Sequence, residues 1–289
     1  MKKLIVAVLV LAVLLAGCGK HVVKENKENE KTKEDKKQSI VVKDYDAKSE
    51  DDKEEEEKKK EDKKEDKKPE EIAGQHRDPN QKIVVIDPGH QLRGDSTKEP
   101  NGPGSSEMKA RVSSGTTGVA TRVPEYVMNL SISLKLKTEL ENRGYTVYMT
   151  RSTHDVNISN KERAQYASSV NADIAVRIHG NGNANQQVRG AEVYVPGLDN
   201  PYVSKDLATA SNTLGTHVLN EYCKATGIKK RDVFNNNTMT GMNWSEVPVI
   251  ILEVGYMSNP EEDQLLQQES VQNNMVVGIA NGIDKYFNY

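Results

Sequence analysis

Short apolar runs alternate with longer amphipathic segments from residue 81 to the end of the chain. Five runs of four to six residues are apolar, rich in β-branched or aromatic side chains and flanked by turn-forming residues, at positions 82–86, 145–149, 174–178, 190–195 and 249–252. Runs of this length and composition are typical of strands that are buried in a sheet. The pattern therefore predicts five strands.

Segments with apolar residues at helical spacing lie among the predicted strands, at positions 124–143, 159–170, 204–224 and 271–287. Asn259 followed by Pro260 marks another helix start, because asparagine caps a first turn and proline suits its first position. Strands that alternate with helices favour an α/β fold. We predict a single α/β domain with a mostly parallel central sheet of five to six strands, flanked by helices on both faces.

One segment fits two patterns. Residues 130–137 alternate apolar and polar side chains, which is typical of a strand. Apolar side chains also recur every four residues from Met128 to Leu140, which is helical spacing. Because the whole segment extends over 124–143, longer than an ordinary strand, we predict a helix. This prediction places Glu125 at the amino end of a rigid element.

Residues 91–121 carry few apolar side chains and many glycine, proline, serine and threonine residues. This composition predicts a loop, and so long a structureless segment in a compact domain is usually functional or mobile. Because the segment starts directly after His90, we expect it to form a wall or a cover for any site at that histidine.

The chain begins with Met1 and two lysines, followed by an apolar run at 4–16 and then Cys18. The run is too short to span a bilayer comfortably and has the layout of an export signal. Small residues leading to a cysteine resemble a bacterial lipoprotein signal, which implies cleavage before Cys18 and lipid attached to it. We predict a signal peptide at 1–17 and an exported protein that lipid on Cys18 anchors to the membrane. A plain secretory signal and an uncleaved membrane helix are the alternatives.

The composition changes between Cys18 and the first predicted strand. Residues 51–68 are an unbroken run of charged side chains of mixed sign, which cannot bury enough apolar surface to fold. We predict a disordered charged tether at 18–79, rather than a binding tail, and a folded domain at 80–289. The net charge of −3 hides this mixture, and no basic patch with interleaved aromatic residues indicates nucleic-acid binding.

Cys223 is the only other cysteine, so a lipidated Cys18 leaves no partner for an intramolecular disulfide. The apolar core must then stabilise the exported domain, and the chain is long enough to form one. Because Cys223 lies in an apolar helical pattern, we interpret it as a small buried hydrophobic residue and not as a nucleophile.

Four residues suggest chemistry: His90, Glu125, His179 and Glu253. Three of them stand at or just after the end of a predicted strand, and the carboxyl ends of parallel strands meet at one crevice. Two imidazoles and one carboxylate form a zinc-binding set that leaves one coordination position open, and a further carboxylate can act as a base. The combination indicates a metal-dependent hydrolase.

The motifs around these residues resemble a known family. They are Asp-Pro-Gly-His at 87–90, a glutamate that opens a long helix, Arg-Ile-His-Gly-Asn-Gly at 177–182 and Glu-Val-Gly-Tyr-Met-Ser-Asn at 253–259. In this order they resemble the zinc-dependent N-acetylmuramoyl-L-alanine amidases, which are bacterial cell-wall hydrolases. The resemblance covers about residues 82–286 and extends to Thr150-Arg151 and to Asn-Lys-Glu-Arg at 160–163.

The resemblance implies that His90, Glu125 and His179 bind one zinc ion and that Glu253 is the catalytic carboxylate. The implied reaction is hydrolysis of the amide bond between N-acetylmuramic acid and L-alanine. Peptidoglycan or a muropeptide would be the substrate, and the anchored protein would be a monomer that faces the cell wall. Two departures from the family pattern are Gly180 after the second histidine and a proline before Glu125.

Each site residue also has an ordinary structural explanation. Either histidine could be a hydrogen-bonded structural residue, Glu253 could pair with Arg177, and Glu125 could be an acid that the helix dipole favours. Glu99 and Glu107 are the alternative metal ligands. A non-catalytic wall-binding lipoprotein of the same fold, or a zinc carboxypeptidase or deacetylase acting on wall peptides, are the alternative functions. We also expect three residues to line a sugar or peptide cleft, namely Asn181, Asn183 and Trp244.

Overall fold

The structure, a computed structural model, describes residues 81–289. Its strands in this range are Ile83–Pro88 (β1), Asp95–Pro100 (β2), Met108–Val112 (β3), Thr146–Met149 (β4), Ile174–Asn181 (β5), Ala191–Val195 (β6), Lys230–Asn235 (β7) and Val249–Tyr256 (β8). Its helices are Glu125–Asn142 (α1), Asn160–Ser169 (α2), Lys205–Thr226 (α3), Thr240–Asn243 (α4), Pro260–Leu266 (α5) and Glu269–Phe287 (α6). The signal peptide at 1–17, Cys18 and the tether at 18–79 lie outside the described residues.

Within residues 81–289, six strands form one sheet in the order β4-β1-β5-β8-β6-β7. Neighbouring strands are parallel except for β6 and β8, which are antiparallel. The strands β2 and β3 form a separate antiparallel pair. This architecture confirms the predicted α/β domain with a mostly parallel sheet and helices on both faces.

One face of the sheet is closed by a large apolar core. Alternate residues of β1, β5 and β8 point into it and are fully buried, among them Ile86, Val176 and Leu252. They pack with apolar residues of α1, α3 and α6. The segment with two possible patterns is helix α1, as predicted, because its four-residue spacing carries Ile132 and Leu136 into this core.

The second face is apolar only over part of each strand. Near the amino ends, Val85, Ala175 and Val249 form a smaller core with residues of α2 and α4. Further along the same face the side chains become polar or charged, and they are Asp87, Arg177, His179 and Glu253. The register pairs Asp87 with Arg177, and His179 with Glu253. The polar part of this face therefore lies at the carboxyl ends of adjacent strands.

The prediction that residues 91–121 form only a loop is wrong. The segment contains a hairpin of β2, whose sequence is mostly polar, and β3, which alternates apolar and polar residues over only five positions. Strand β7 was missed because this edge strand is mostly polar and has no apolar alternation. Among residues 81–289, no helix combines the length and the apolar character needed to cross a membrane.

Candidate metal centre and cleft

The fold brings together the four residues that the motifs single out. His90 follows β1, His179 lies in β5, Glu253 lies in β8, and Glu125 is the first residue of α1. Glu253 is the register partner of His179 in the adjacent strand. The carboxyl ends of three neighbouring strands and the amino end of one helix therefore face a common point.

Three ligand atoms converge at this point. His90 Nε2 lies 3.1 Å from Glu125 Oε1, and His179 Nδ1 lies 3.2 Å from the same oxygen. The two ring nitrogens are also 3.2 Å apart. Atoms at this spacing can all lie about 2 Å from a single zinc ion, as nitrogen and carboxylate ligands do. Within residues 81–289, these residues are the only group of three or more potential ligands that meets this proximity.

One hydrogen bond of the His90 ring and the burial of the His179 ring support the same interpretation. His90 Nδ1 lies 2.9 Å from the carbonyl oxygen of Ser113, which can only accept, so Nδ1 carries the proton and Nε2 turns a lone pair towards the centre. Burial lowers the pKa of His179 to about 4, which keeps its ring neutral at pH 7. Neutral imidazole is the form that binds a metal ion. The residues present thus fit a divalent cation.

Backbone and side-chain donors fix the orientation of Glu125. Its Oε1 accepts hydrogen bonds from the Gly180 amide (3.0 Å) and the Asn129 side chain (3.2 Å), and its Oε2 accepts from the Thr116 amide (2.8 Å). Burial opposes ionisation of this carboxyl, but the contacts with His179 and His90 outweigh it and hold the pKa of Glu125 well below its usual range. The carboxylate is therefore ionised and aimed at the centre.

Glu253 differs from Glu125 in its surroundings. Its Oε2 atom is buried and has no hydrogen-bond partner within residues 81–289. Burial, together with the negative charges of Glu125 and Glu192, raises the pKa of Glu253 well above its usual value. The alternative pairing with Arg177 is absent, since Arg177 donates to Asp87 and Asn160 in this part of the chain. Glu253 is thus a carboxyl group with high proton affinity and a free oxygen beside the centre.

Two arginines hold the turn that carries His90. Arg163 donates to the carbonyl oxygens of Pro88 (3.0 Å) and His90 (3.1 Å), and Arg151 donates to those of Pro88 (2.9 Å) and Gly89 (3.0 Å). These bonds hold His90 at a φ of 61°, which few residues other than glycine adopt. A side chain at Gly89 would overlap the His179 ring. The guanidinium groups of Arg151 and Arg163 therefore hold the turn in place through its backbone carbonyl oxygens.

Asp87 is the counter-ion below this turn. Its carboxylate accepts from Arg163 (2.6 Å), from Arg177 (2.7 Å) and from the Thr150 hydroxyl. Burial disfavours its charge, yet the two arginines hold the pKa of Asp87 below its usual range. The similar family motifs at 150–151 and 160–163 thus correspond to groups that support the turn.

Glu192 is a site residue that the motifs did not single out. It is buried, is the register partner of Glu253 in the antiparallel pair of β6 and β8, and accepts four hydrogen bonds. The donors are the side chains of Asn181, Tyr194, Arg231 and Tyr256. A glutamate between apolar residues of a strand was the signal in the sequence, because a charge is rarely buried without partners.

Two cavities open onto the centre, and both are lined by His90, Ser113, His179 and Glu253. One has a volume of about 550 Å³ and is here called the asparagine lobe, since it is also lined by Thr116, Asn181, Gly182, Asn183, Ala184 and Ser258. The other has a volume of about 410 Å³ and is here called the hairpin lobe, since it is also lined by Lys109, Ala110, Arg177, Met239, Gly241 and Ile251. The centre thus lies in a cleft that extends in two directions.

Some expected site residues lie elsewhere. Glu99 accepts from the Lys161 amide and Glu107 from the Asn101 side chain, so neither joins the three ligand atoms. The indole nitrogen of Trp244 donates to the Pro100 carbonyl oxygen, and Trp244 lines neither lobe, unlike Asn181 and Asn183.

Cys223 lies on α3, partly buried against the large apolar core and away from the cleft. Burial raises the pKa of its thiol to about 11, as expected for a structural cysteine.

Comparison with known proteins gives a consistent set of relatives. The AmiC amidase of Neisseria meningitidis is 26% identical over 250 residues, which are 74% of this chain and 55% of that protein, so this chain spans just over half of it. The germination-specific N-acetylmuramoyl-L-alanine amidase of Bacillus subtilis is 27% identical over 212 residues, covering 71% of this chain and 80% of that protein.

A solved structure has the same architecture. The catalytic domain of CwlV, an N-acetylmuramoyl-L-alanine amidase from Bacillus (Paenibacillus) polymyxa var. colistinus, aligns with a TM-score of 0.57 and 28% sequence identity. The alignment covers 72% of this chain and 98% of that domain. The model of the Amidase_3 family, described as N-acetylmuramoyl-L-alanine amidase, matches residues 84–285 and so includes all four site residues. With this match across its described domain, the chain belongs to the N-acetylmuramoyl-L-alanine amidase family.

Proposed function

We propose that the protein hydrolyses the amide bond between N-acetylmuramic acid and L-alanine in peptidoglycan. In this proposal His90, Glu125 and His179 hold one zinc ion, and Glu253 is the general base. The observation that carries the proposal is the convergence of three potential ligand atoms within 3.2 Å of one another, beside a carboxyl group with a free oxygen. The family relationship supports the choice of bond.

The roles of the residues follow from their surroundings. A bound zinc ion would supply Lewis acidity, polarising the amide carbonyl and making water acidic enough to lose a proton near neutral pH. Glu253 in its ionised form accepts that proton through Oε2, which has no partner within residues 81–289, while the water oxygen bonds to the amide carbon. The raised pKa makes this carboxylate a stronger base than an ordinary one. Glu253 then donates the proton to the nitrogen of L-alanine as the amide bond breaks. The three donors on Glu125 keep that carboxylate oriented throughout.

The direct test uses purified protein and a soluble muropeptide, with the products identified by mass spectrometry. We expect new amino ends on L-alanine and new carboxylates on the lactyl group of the sugar. Loss of a C-terminal amino acid would indicate a carboxypeptidase, and release of acetate would indicate a deacetylase. Binding to peptidoglycan with no cleavage product would support a wall-binding protein and contradict the proposal.

We further propose that Cys18 carries lipid after removal of residues 1–17 and that residues 18–79 tether the domain to the membrane. The support is the signal-like amino-terminal sequence and the charged run at 51–68. Two lipid chains suffice to hold a protein at a membrane. The domain would then act, as a monomer, on the peptidoglycan within reach of the tether.

A deletion tests the tether. Removal of residues 51–68 should reduce cleavage of intact cell wall by the anchored protein but leave cleavage of soluble muropeptide unchanged. A variant that replaces the same residues with an equally long glycine–serine segment is the matched control and should keep wall cleavage. Equal losses on both substrates would contradict the tether proposal.

A further inference from the structure

Charge is distributed unequally between the two lobes of the cleft. Apart from Glu125 and the residues that both lobes share, the asparagine lobe is lined by neutral side chains and backbone. The hairpin lobe adds two cationic side chains, Lys109 and Arg177. A substrate that is a neutral sugar on one side of the scissile bond and an acidic peptide on the other would match this difference.

Arg177 is a buried cation whose charge is incompletely balanced. Its side chain is 6% exposed, its Nε donates to Asp87 (2.7 Å) and its Nη2 donates to Asn160 (2.8 Å). The remaining nitrogen, Nη1, lies so close to Gly241 that a side chain there would overlap it. Asp87 is shared with Arg163, so one carboxylate faces two guanidinium groups. These three side chains, Asp87, Arg163 and Arg177, therefore carry one excess positive charge.

Lys109 lies at the rim of the same lobe. Its Nζ donates to the Thr238 carbonyl oxygen at 2.6 Å, which fixes the position of the ammonium group. Glu107 lies 3.4 Å away, but its side chain is 57% exposed, so solvent weakens that ion pair. An ammonium group has three donors, and the carbonyl oxygen takes one of them. Lys109 can therefore also bind an anionic group of a substrate.

The spacing along the sheet fits a carboxylate on the second residue of the peptide. Arg177 and His179 are two residues apart on one face of β5, which is about 6.6 Å along the strand. Two extended residues of a bound peptide, counted from the scissile nitrogen, reach about 7 Å. A carboxylate on the residue after L-alanine would thus lie near the cations when the scissile bond is at the centre.

We propose that the hairpin lobe binds the peptide side of the substrate, and that Lys109 and Arg177 select peptides with a free carboxylate on the residue after L-alanine. The sugar side then occupies the asparagine lobe, where amide and hydroxyl groups suit a neutral ligand. This inference rests on the proposed amidase function. Lys109 is a specificity-determining residue in it, and Arg177 also supports the turn through Asp87.

The test compares two substrates that differ only in the charge of this residue: N-acetylmuramoyl-L-alanyl-D-glutamate and its diamide, in which both carboxylates are replaced by neutral amides. The full-length protein should cleave the acid with a kcat/KM about tenfold higher, the size expected when a charge-assisted hydrogen bond is lost. Lys109→Met should remove most of this preference through a higher KM for the acid, with kcat unchanged. A binding contact remote from the reacting atoms changes KM in this way.

Two further variants separate selection from structural damage. Lys109→Arg should retain the preference for the acid, because it keeps the charge. Lys98→Met, an exposed lysine in the same hairpin that does not line the lobe, should behave as wild type. Equal effects of Lys109→Met on both substrates, or no effect on either, would overturn the inference while leaving the amidase function intact. Failure of the wild-type protein to release L-alanine amino ends from either substrate would instead overturn the proposed function.

Discussion

The two faces of the central sheet use the same strands in opposite ways. On one face, alternate residues of β1, β5 and β8 are apolar along their full length and are sealed by three long helices. On the other face, the same strands are apolar near their amino ends and then carry Asp87, Arg177, His179 and Glu253. The first face stabilises the fold, and the second holds the groups that can do chemistry.

This difference shows why the site can carry buried charges. The face that α1, α3 and α6 cover is here called the sealed face, and the face with the polar residues is called the open face. The sealed face buries enough apolar surface for the domain to tolerate desolvated charged groups on the open face. Those groups form two layers: the three proposed ligand residues and Glu253 lie at the centre, and Asp87 with its arginines lies behind them. Changes on the sealed face should therefore alter stability, and changes on the open face should alter catalysis or the support of the metal centre.

The largest expected effect comes from a ligand on the open face. His179→Ala removes one of three ligand atoms, so zinc content and hydrolysis should both fall to background. The matched control is His217→Ala, on helix α3 and outside both lobes, which should retain both. Metal analysis and a muropeptide assay on the same preparations give the two readouts. Full activity of the His179 variant would contradict the ligand assignment.

Glu253→Gln should separate chemistry from metal binding. The amide cannot accept the proton, so kcat should fall by about 10²–10⁴-fold, as for loss of a general base. Zinc content and the circular dichroism spectrum should match wild type. Glu246→Gln changes an exposed glutamate just before β8 and serves as the control. A Glu253 variant that cleaves at close to the wild-type rate would exclude this residue as the base.

Asp87→Asn tests the charged layer beneath the site. It leaves Arg163 and Arg177 without their buried counter-ion and should lower the free energy of unfolding by about 3–5 kcal/mol at pH 7. Asp155→Asn, at a side chain that is 78% exposed, should change it by less than about 0.5 kcal/mol. Urea unfolding of the three proteins measures the difference.

The stability difference between wild type and Asp87→Asn should also depend on pH. Burial disfavours the charge of Asp87, but its arginine partners lower its pKa in the folded state below the ordinary 3.8. The stabilisation is therefore fully present above about pH 4 and is lost as the pH falls towards the folded pKa. The stability difference between wild type and Asp87→Asn should shrink on acidification. A difference that grows in acid would show that the pKa is not lowered.

A substitution on the sealed face should have the smallest effect on catalysis. Leu136→Ala creates a cavity in the large core and should lower the free energy of unfolding by about 2–5 kcal/mol. The zinc content and kcat of the folded fraction should stay within about twofold of wild type. Leu134→Ala, at a half-exposed position of the same helix, should have little effect on stability. A large loss of kcat in Leu136→Ala would show that the two faces are not separable.

The sealed face is also the part of the fold that the sequence predicts best. Short apolar runs place β1, β4, β5, β6 and β8, and four-residue spacing identifies α1. Strands β2 and β7 have mostly polar sequences, and β3 alternates over only five residues, of which Met108 is exposed. Local apolar patterns therefore do not reveal them.

For the site, sequence motifs predict which residues meet but not what supports them. Each of the four motif residues lies in the carboxyl-terminal part of a strand, just after a strand or at the start of a helix, so the fold topology brings them together. The four donors on Glu192 come from separate segments, two of them outside any motif, and the position of Lys109 at the cleft likewise depends on long-range packing. Such contacts are set by tertiary structure.

The most direct test of the account is to locate and count the metal. Crystals of the purified protein, with diffraction measured on both sides of the zinc absorption edge, should show one zinc ion per chain between His90, Glu125 and His179. The Glu253→Gln protein should show the same ion, and the His179→Ala protein should show none. A wild-type protein that binds no zinc after exposure to excess metal, or binds it elsewhere, would contradict the central claim.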